Sequence, residues 1–118
     1  MTECLIKDRA KIVVGSKAQF KLFLIDEQKR PISLSPYNAG KLVFCNCDGV
    51  RTEITLTVPG ANPDRGEILV NITAVQSANA DKKWKDADVE LTDGVDTVVI
   101  PLADKFEIVE RFCPPVVP

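Results

Sequence analysis

The residues best suited to chemistry in this 118-residue chain are its four cysteines, Cys4, Cys45, Cys47 and Cys113. Four thiolates could bind one zinc ion, but structural zinc sites usually take their cysteines from tight loops with C-x₂₋₄-C spacing. A single residue separates Cys45 from Cys47 inside a strand-like run, and the chain contains no histidine. The sequence therefore favours free, buried thiols at Cys45 and Cys47 over a metal site or a disulfide, and it predicts no metal and no cofactor.

The other reactive side chains do not combine into a catalytic set. Without histidine, a serine or cysteine nucleophile lacks its usual base. Asp86, Asp88 and Glu90 could supply an acid and a base. However, they alternate along one predicted strand, a pattern typical of a solvated outer face. The sequence predicts no catalytic residue and no enzyme.

Charge and hydropathy also indicate which classes of partner are not expected. The chain has 15 basic and 17 acidic residues, a net charge of −2, which gives no electrostatic reason to expect nucleic acid. No run is long and apolar enough to span a membrane, and the first residues do not form a signal peptide. We expect synthesis in the cytoplasm and neither nucleic acid nor membrane as a partner.

The elements that would position these residues are short strands. Between Glu67 and Ala74, for example, Ile68, Val70 and Ile72 alternate with polar or outward positions. No segment keeps a helical period for ten residues, and Val75 to Lys85 reads as a loop with one helical turn. The spacing predicts an all-β, antiparallel β-sandwich of about eight strands, formed as one domain by residues 1–111.

Two Asp-Gly pairs, Asp48-Gly49 and Asp93-Gly94, each lie between strand-like runs and predict a two-residue type I′ hairpin. Such a turn fixes the register of the strands that it joins. Counting outward from the first turn sets Cys45 opposite Thr52 on the core side. The same register leaves Leu42 and Phe44 on the outer face.

The second hairpin predicts a similar division into two faces. Its inward residues would be Ala87, Val89, Leu91, Val98 and Ile100, and its outward residues Val95 and Val99. With Phe23 and Leu69, the outward apolar residues of both hairpins could form a contiguous patch. Such a patch either contacts a partner or is covered by a loop or by Val75 to Lys85.

The last seven residues, Phe112 to Pro118, form an uncharged and apolar segment that contains three prolines. Proline holds the backbone extended and is excluded from central strands. Disordered tails are usually charged or polar, and this one is neither. We therefore expect an apolar arm that lies along a neighbouring subunit, or else packs back on its own domain or frays.

Four stretches resemble one known type of protein. Ile12 to Ser16 is similar to its opening strand and glycine turn, and Leu24 to Leu34 to a strand, a turn and a short strand. Asp64 to Ala74 resembles its glycine-initiated strand, and Ala87 to Gly94 its late strand with an Asp-Gly turn. The chain thus resembles the small immunoglobulin-like β-sandwich proteins of tailed-bacteriophage virions, of the tail collar, baseplate or fibre-attachment type.

The resemblance implies a non-enzymatic structural protein that is made in the host cytoplasm and incorporated into the virion. It would assemble symmetrically, as a homo-oligomer, and join tail, collar, baseplate or fibre components. Its interface would include outward apolar residues and the arm, namely Phe23, Leu42, Phe44, Trp84, Phe112, Pro114, Pro115, Val116 and Val117.

Two alternatives stay open from the sequence. Because the domain fills the whole chain, a capsid-decorating cement protein that stabilises the head is the closer one. The other is a cellular protein- or carbohydrate-binding module, which a cleft lined by Trp84 and Tyr37 would favour.

Overall fold

The computed structural model describes residues 3–5, 10–58, 60 and 63–110, with the backbone alone for 3–5. Strands dominate this part of the chain, which also has one four-residue helix, α1 (Ala74–Ser77). Two 3₁₀ turns, Pro63–Arg65 and Lys82–Lys85, are the other helical pieces. The nine strands within the described residues are β1 (Glu3–Leu5), β2 (Ala10–Val13), β3 (Ala18–Ile25), β4 (Ala39–Cys45), β5 (Arg51–Leu56), β6 (Glu67–Ile72), β7 (Ala87–Thr92), β8 (Thr97–Leu102) and β9 (Phe106–Val109).

These strands form two antiparallel sheets and one parallel pair. The three-stranded sheet has the order β1-β3-β6, and the four-stranded sheet has the order β5-β4-β7-β8. β2 and β9 pair in parallel, which the sequence did not predict. The all-β sandwich predicted from the two-residue period is confirmed. Among the described residues, no helix is long and apolar enough to cross a membrane.

Alternating side chains from both sheets form one core. In β6, Ile68, Val70 and Ile72 are buried as predicted, whereas Leu69 and Asn71 between them are exposed. Residues of the four-stranded sheet, Leu42 and Val89 among them, join the same buried cluster. The helix α1 follows β6 because Thr73 and Gln76 form a capping box at its start. It supplies the helical turn predicted between Val75 and Lys85.

Stacked aromatic rings fill the core beside the second 3₁₀ turn. Asp81 caps this turn by accepting the Lys83 N–H, and the turn directs Trp84 inward. The Trp84 ring stacks on Phe44 with centroids 4.2 Å apart, and Phe106 meets Phe44 edge-on at 5.1 Å. Such ring pairs stabilise a core beyond the area that they bury.

The loop between β4 and β5 is one residue longer than predicted. The Asn46 N–H donates to the Val50 carbonyl, and the Gly49 N–H donates to the Asn46 carbonyl, both at 3.0 Å. Three residues therefore connect the strands, and Gly49, with φ of 81°, adopts the left-handed conformation. This is the three-residue hairpin that ends in a left-handed glycine, so the two-residue type I′ prediction is wrong here.

The extra residue reverses the predicted faces of β4. Phe44 lies opposite Thr52 and Leu42 opposite Ile54, whereas the two-residue turn would pair Phe44 with Glu53. A one-residue slip moves every side chain of a strand to the other face. Leu42 and Phe44 are consequently fully buried, and their prediction as outward residues is wrong.

The second hairpin differs from its prediction in register rather than in loop length. Thr92 pairs with Thr97, whereas an Asp93-Gly94 turn would pair it with Val95, and the Asp93 N–H donates to the Asp96 carbonyl, so Gly94 and Val95 connect the strands. A shift of two keeps the faces unchanged. Val89, Leu91 and Ile100 are buried and Val95 and Val99 exposed, as predicted. Val98, opposite Leu91, shares their inner face but remains 40% exposed at the edge of the sheet.

Candidate assembly surface

The residues predicted for an interface separate into three groups. Leu42, Phe44 and Trp84 are buried in the core, so their assignment to an exposed surface is wrong. For Leu42 and Phe44 the cause is the longer loop, and for Trp84 it is the turn that directs the ring inward. Phe23 is half-buried on the outer face of the three-stranded sheet. The arm residues Phe112, Pro114, Pro115, Val116 and Val117 lie outside the described residues.

The outer face of the three-stranded sheet offers little apolar surface. Phe23 lies opposite Glu67, and Leu69, 47% exposed, lies opposite Lys21. Lys21 Nζ and Glu67 Oε1 form an ion pair at 2.8 Å across these positions. The contiguous patch predicted from the sequence is therefore reduced to two apolar side chains beside an ion pair.

A network of ion pairs occupies one half of the outer face of the four-stranded sheet. Arg51 joins Glu53 at 2.7 Å and Glu90 at 3.0 Å, and Lys41 joins Glu53 at 3.2 Å. The hydrogen bonds from Arg51 and Lys41 lower the pKa of Glu53, and the hydrogen bond to Glu53 raises the pKa of Arg51. Val43, between Glu53 and Asp88 in this face, is only 4% exposed.

The other half of this face ends at β8, which lacks the charged side chains of the first half. From Thr97 to Leu102 the strand has no charged side chain. Val99 is 54% exposed, and Val95 in the preceding loop is 89% exposed. No strand of the described residues pairs with the far side of β8, which we call the open edge of the sheet, although β1 approaches β8 to within 8 Å between Cα atoms.

The hydrogen bonds between β7 and β8 show which backbone groups of β8 face that open edge. Opposite residues of an antiparallel pair alternate between hydrogen-bonded and non-hydrogen-bonded positions. The Asp93 N–H donates to the Asp96 carbonyl at 3.3 Å, which fixes the alternation along β7 and β8. It follows that Thr97, Val99 and Pro101 direct their backbone groups away from β7. Pro101 has no N–H to leave unpaired, which is the position where an edge strand tolerates proline.

The cysteines take different positions from those predicted. Cys45 and Cys47 are both free thiols, as expected, but Cys45 is half-buried and Cys47 is exposed. Cys47 belongs to the three-residue loop rather than to a strand. Its N–H donates to Asp81 Oδ2 at 2.7 Å, and this bond lowers the pKa of Asp81. Cys4 and Cys113 have no described side chains.

An open depression of about 350 Å³ lies next to the uncharged edge, lined by residues that include Cys45, Asp86, Asp88 and Pro101. Asp86 Oδ1 already accepts the Asp104 N–H at 2.7 Å. Within the described residues no three side chains of His, Cys, Asp or Glu are grouped to bind a metal ion.

A cleft lined by Trp84 and Tyr37 is not formed. Trp84 is fully buried, and its indole N–H has no acceptor among the described residues. Tyr37 is half-buried against the core. Neither ring offers the exposed face that sugar recognition by stacking would need.

Comparison with known proteins adds no family to this description. No protein-family model matches the chain, and no curated protein sequence matches it significantly.

Proposed function

We propose that this chain is a non-enzymatic structural protein of a bacteriophage virion, which joins tail, collar, baseplate or fibre components through symmetric assembly. Its partners would be other copies of itself and other virion proteins, and its place of action the particle. The proposal starts from the resemblance of four sequence stretches to immunoglobulin-like virion proteins. Two structural features support it.

The first feature is the order of the strands. With β2 and β9 set aside, the seven remaining strands can be matched in chain order to strands A to G of an immunoglobulin domain. Strands A, B and E then share one sheet, as β1-β3-β6 do, and C, F and G share the other, as β4-β7-β8 do. The departure is β5, in the place of strand D, which pairs with β4 instead of β6.

The second feature, which carries the proposal, is the open edge of β8. Native proteins usually block an exposed edge with charges, because its unpaired backbone groups invite pairing with another chain. β8 has no charge between Thr97 and Leu102 and exposes Val98 and Val99. Pro101 blocks one position of this edge, but Thr97 and Val99 direct unpaired backbone groups to it without a nearby charge. An edge of this kind is suited to assembly, which is the property that a connector in a particle needs.

The alternatives differ in how much support they have. A capsid-decorating cement protein would use the same open edge, so the geometry favours it equally and location must decide. A carbohydrate-binding module loses its favoured feature, because Trp84 is buried.

Location in purified particles tests the proposal. We expect mass spectrometry to find the chain in particles purified from a lysate, and immunogold labelling to mark the tail or its junction with the head. Label over the whole head would favour the cement protein. Presence in the lysate but absence from particles that contain their other structural proteins would contradict both virion functions.

A further inference from the structure

We propose that Asp48 is a site of spontaneous isomerisation, in which its carboxyl group reacts with the backbone nitrogen of Gly49, and that the fold protects Asp93 from the same reaction. The chain contains two identical Asp-Gly-Val runs, which begin at Asp48 and at Asp93. Because the residues that follow are the same, the surroundings of the two sites decide which of them reacts. The inference goes beyond the proposed function, since it needs only the folded chain and no partner.

The reaction needs no reagent other than water. The Gly49 nitrogen attacks Cγ of Asp48, the new N–Cγ bond closes a succinimide ring, and the amide proton and the carboxyl hydroxyl leave as water. A second water molecule then opens the ring at the Asp48 carbonyl carbon by breaking its bond to the same nitrogen. The product, isoaspartate, has the mass of aspartate, but its main chain runs through Cβ and Cγ. Glycine favours the attack because it has no side chain to hinder it.

The loop of the first hairpin leaves the Asp48 carboxyl group free to turn toward that nitrogen. Asp48 and Gly49 are both exposed. Within the described residues the Asp48 carboxylate forms no hydrogen bond and no ion pair, and only its backbone N–H is held, by Asn46 Oδ1 at 3.0 Å. Apart from the chain neighbours, no heavy atom lies within 4 Å of the position that a Cβ on Gly49 would take. The space needed for ring closure is therefore open.

The second hairpin restrains the groups that would have to react. Asp93 Oδ1 accepts the N–H groups of Asp96 and Val95, each at 2.8 Å. These bonds lower the pKa of the Asp93 carboxyl and so favour the anion, which is a poorer target for attack than the acid. Asn38 Nδ2 donates to the Asp93 carbonyl at 3.3 Å and lies 3.4 Å from the position of a Cβ on Gly94. Ring closure at Asp93 would have to break these contacts.

The attacking nitrogens do not account for the difference between the sites. The Gly49 N–H donates to the Asn46 carbonyl at 3.0 Å, and the Gly94 N–H donates to Thr92 Oγ1 at 3.1 Å. Each nitrogen thus gives up one bond of similar length. The two carboxyl groups and their surroundings are what differ.

Isomerisation would change the loop that joins β4 and β5. The product has one more main-chain carbon between Asn46 and Val50, whose N–H donates to Asn46 Oδ1 at 2.9 Å. The Cys47 N–H, which donates to Asp81 Oδ2 at 2.7 Å, connects this loop to the turn that carries Trp84. We expect the longer main chain to weaken these bonds and to lower the urea midpoint of the modified chain.

Incubation in heavy-oxygen water tests the inference. The full-length wild-type chain is kept folded at mildly acidic pH and then digested in ordinary water, and peptide mass spectrometry locates the incorporated oxygen. Ring opening places one solvent oxygen on the aspartate that has reacted. We expect label at Asp48 to accumulate at least tenfold faster than at Asp93 in the folded chain. In urea, where neither site keeps its surroundings, the two rates should become similar.

Asp48→Glu is the matched control. It retains the negative charge, but its longer side chain would have to close a larger and less favourable ring. We expect no label at position 48 of this variant, and we expect it to keep the urea midpoint that the incubated wild-type chain loses.

Three outcomes would overturn the inference. The first is label that accumulates at Asp93 as fast as at Asp48 in the folded chain. The second is the same ratio of the two rates in the folded chain and in urea, and the third is an equal loss of midpoint in Asp48→Glu. None of them bears on the virion function, which location in purified particles tests separately.

Discussion

The two hairpins of the four-stranded sheet each supply one of its edges, and the two edges are opposite in character. In the first hairpin, Arg51 and Glu53 direct both their backbone groups toward the open side and their charges over the outer face. In the second, Thr97 and Val99 occupy the equivalent positions. The same sheet thus has one edge with charged side chains and one edge without them, and only the first has the usual block by charge against pairing with another chain.

The largest effect should come from Phe44, which the first hairpin directs into the core. Phe44→Ala should lower the free energy of unfolding by about 3–5 kcal/mol, and Phe44→Glu should prevent folding because it buries a charge without a partner. Urea denaturation measures both. Val99→Glu, on the open edge, is the control that should stay folded. A folded Phe44→Glu with an unchanged midpoint would restore the two-residue turn and the opposite face.

The loop of the first hairpin should contribute the next effect. Asn46 Oδ1 accepts the N–H groups of Asp48 and Val50, and Asn46 Nδ2 donates to the Asn79 carbonyl. Asn46→Ala should lower the free energy of unfolding by about 2–3 kcal/mol, at roughly 1 kcal/mol for each lost bond. Asn46→Asp keeps an oxygen that can accept both N–H groups and loses only the bond to Asn79, so it should cost less than Asn46→Ala. Equal costs for the two variants would show that the two bonds accepted by Asn46 Oδ1 do not hold the loop.

Removing the charges of the blocked edge should make it resemble the open one. We expect the double variant Arg51→Val with Glu53→Val to self-associate at a concentration at least tenfold lower than wild type, as measured by light scattering. Thr55→Val adds an apolar side chain to the same edge but keeps both charges, so it should behave as wild type. Equal association of the two variants would mean that charge does not block this edge.

The contribution of two loop carboxyl groups to stability at low pH should be the smallest of these effects. Hydrogen bonds from the Cys47 N–H to Asp81, and from the Asp96 and Val95 N–H groups to Asp93, lower the pKa of each carboxyl below its ordinary value of 3.8. A lowered folded-state pKa contributes stability above the unfolded value, and that contribution is lost as the pH falls through the folded value. Asp81→Asn and Asp93→Asn should each flatten the loss of stability as the pH falls below the ordinary carboxyl value of 3.8. Unfolding midpoints across this range that fall as steeply as in wild type would contradict it.

In the two hairpins, the sequence predicted the faces of both strands correctly only where the error in register was even. The Asp-Gly pair indicated a turn in both hairpins, but the turn length depended on contacts that no local pattern encodes, such as Asn46 with Asn79. A two-residue error left Val89 and Val99 on their predicted faces, and a one-residue error inverted Phe44. Trp84 lies between lysines, so its burial could not be recognised, and the parallel pairing of β2 with β9 joins residues almost a hundred positions apart.

Hydrogen exchange at the two edges tests the central claim, that copies associate through β8, most directly. We predict that exchange of the Thr97 and Val99 amides in the full chain slows as the concentration rises through the range of self-association, while the Glu53 and Thr55 amides do not change. Oligomers in which Thr97 and Val99 exchange as fast as in the monomer, or in which protection appears at Glu53 and Thr55 instead, would contradict it.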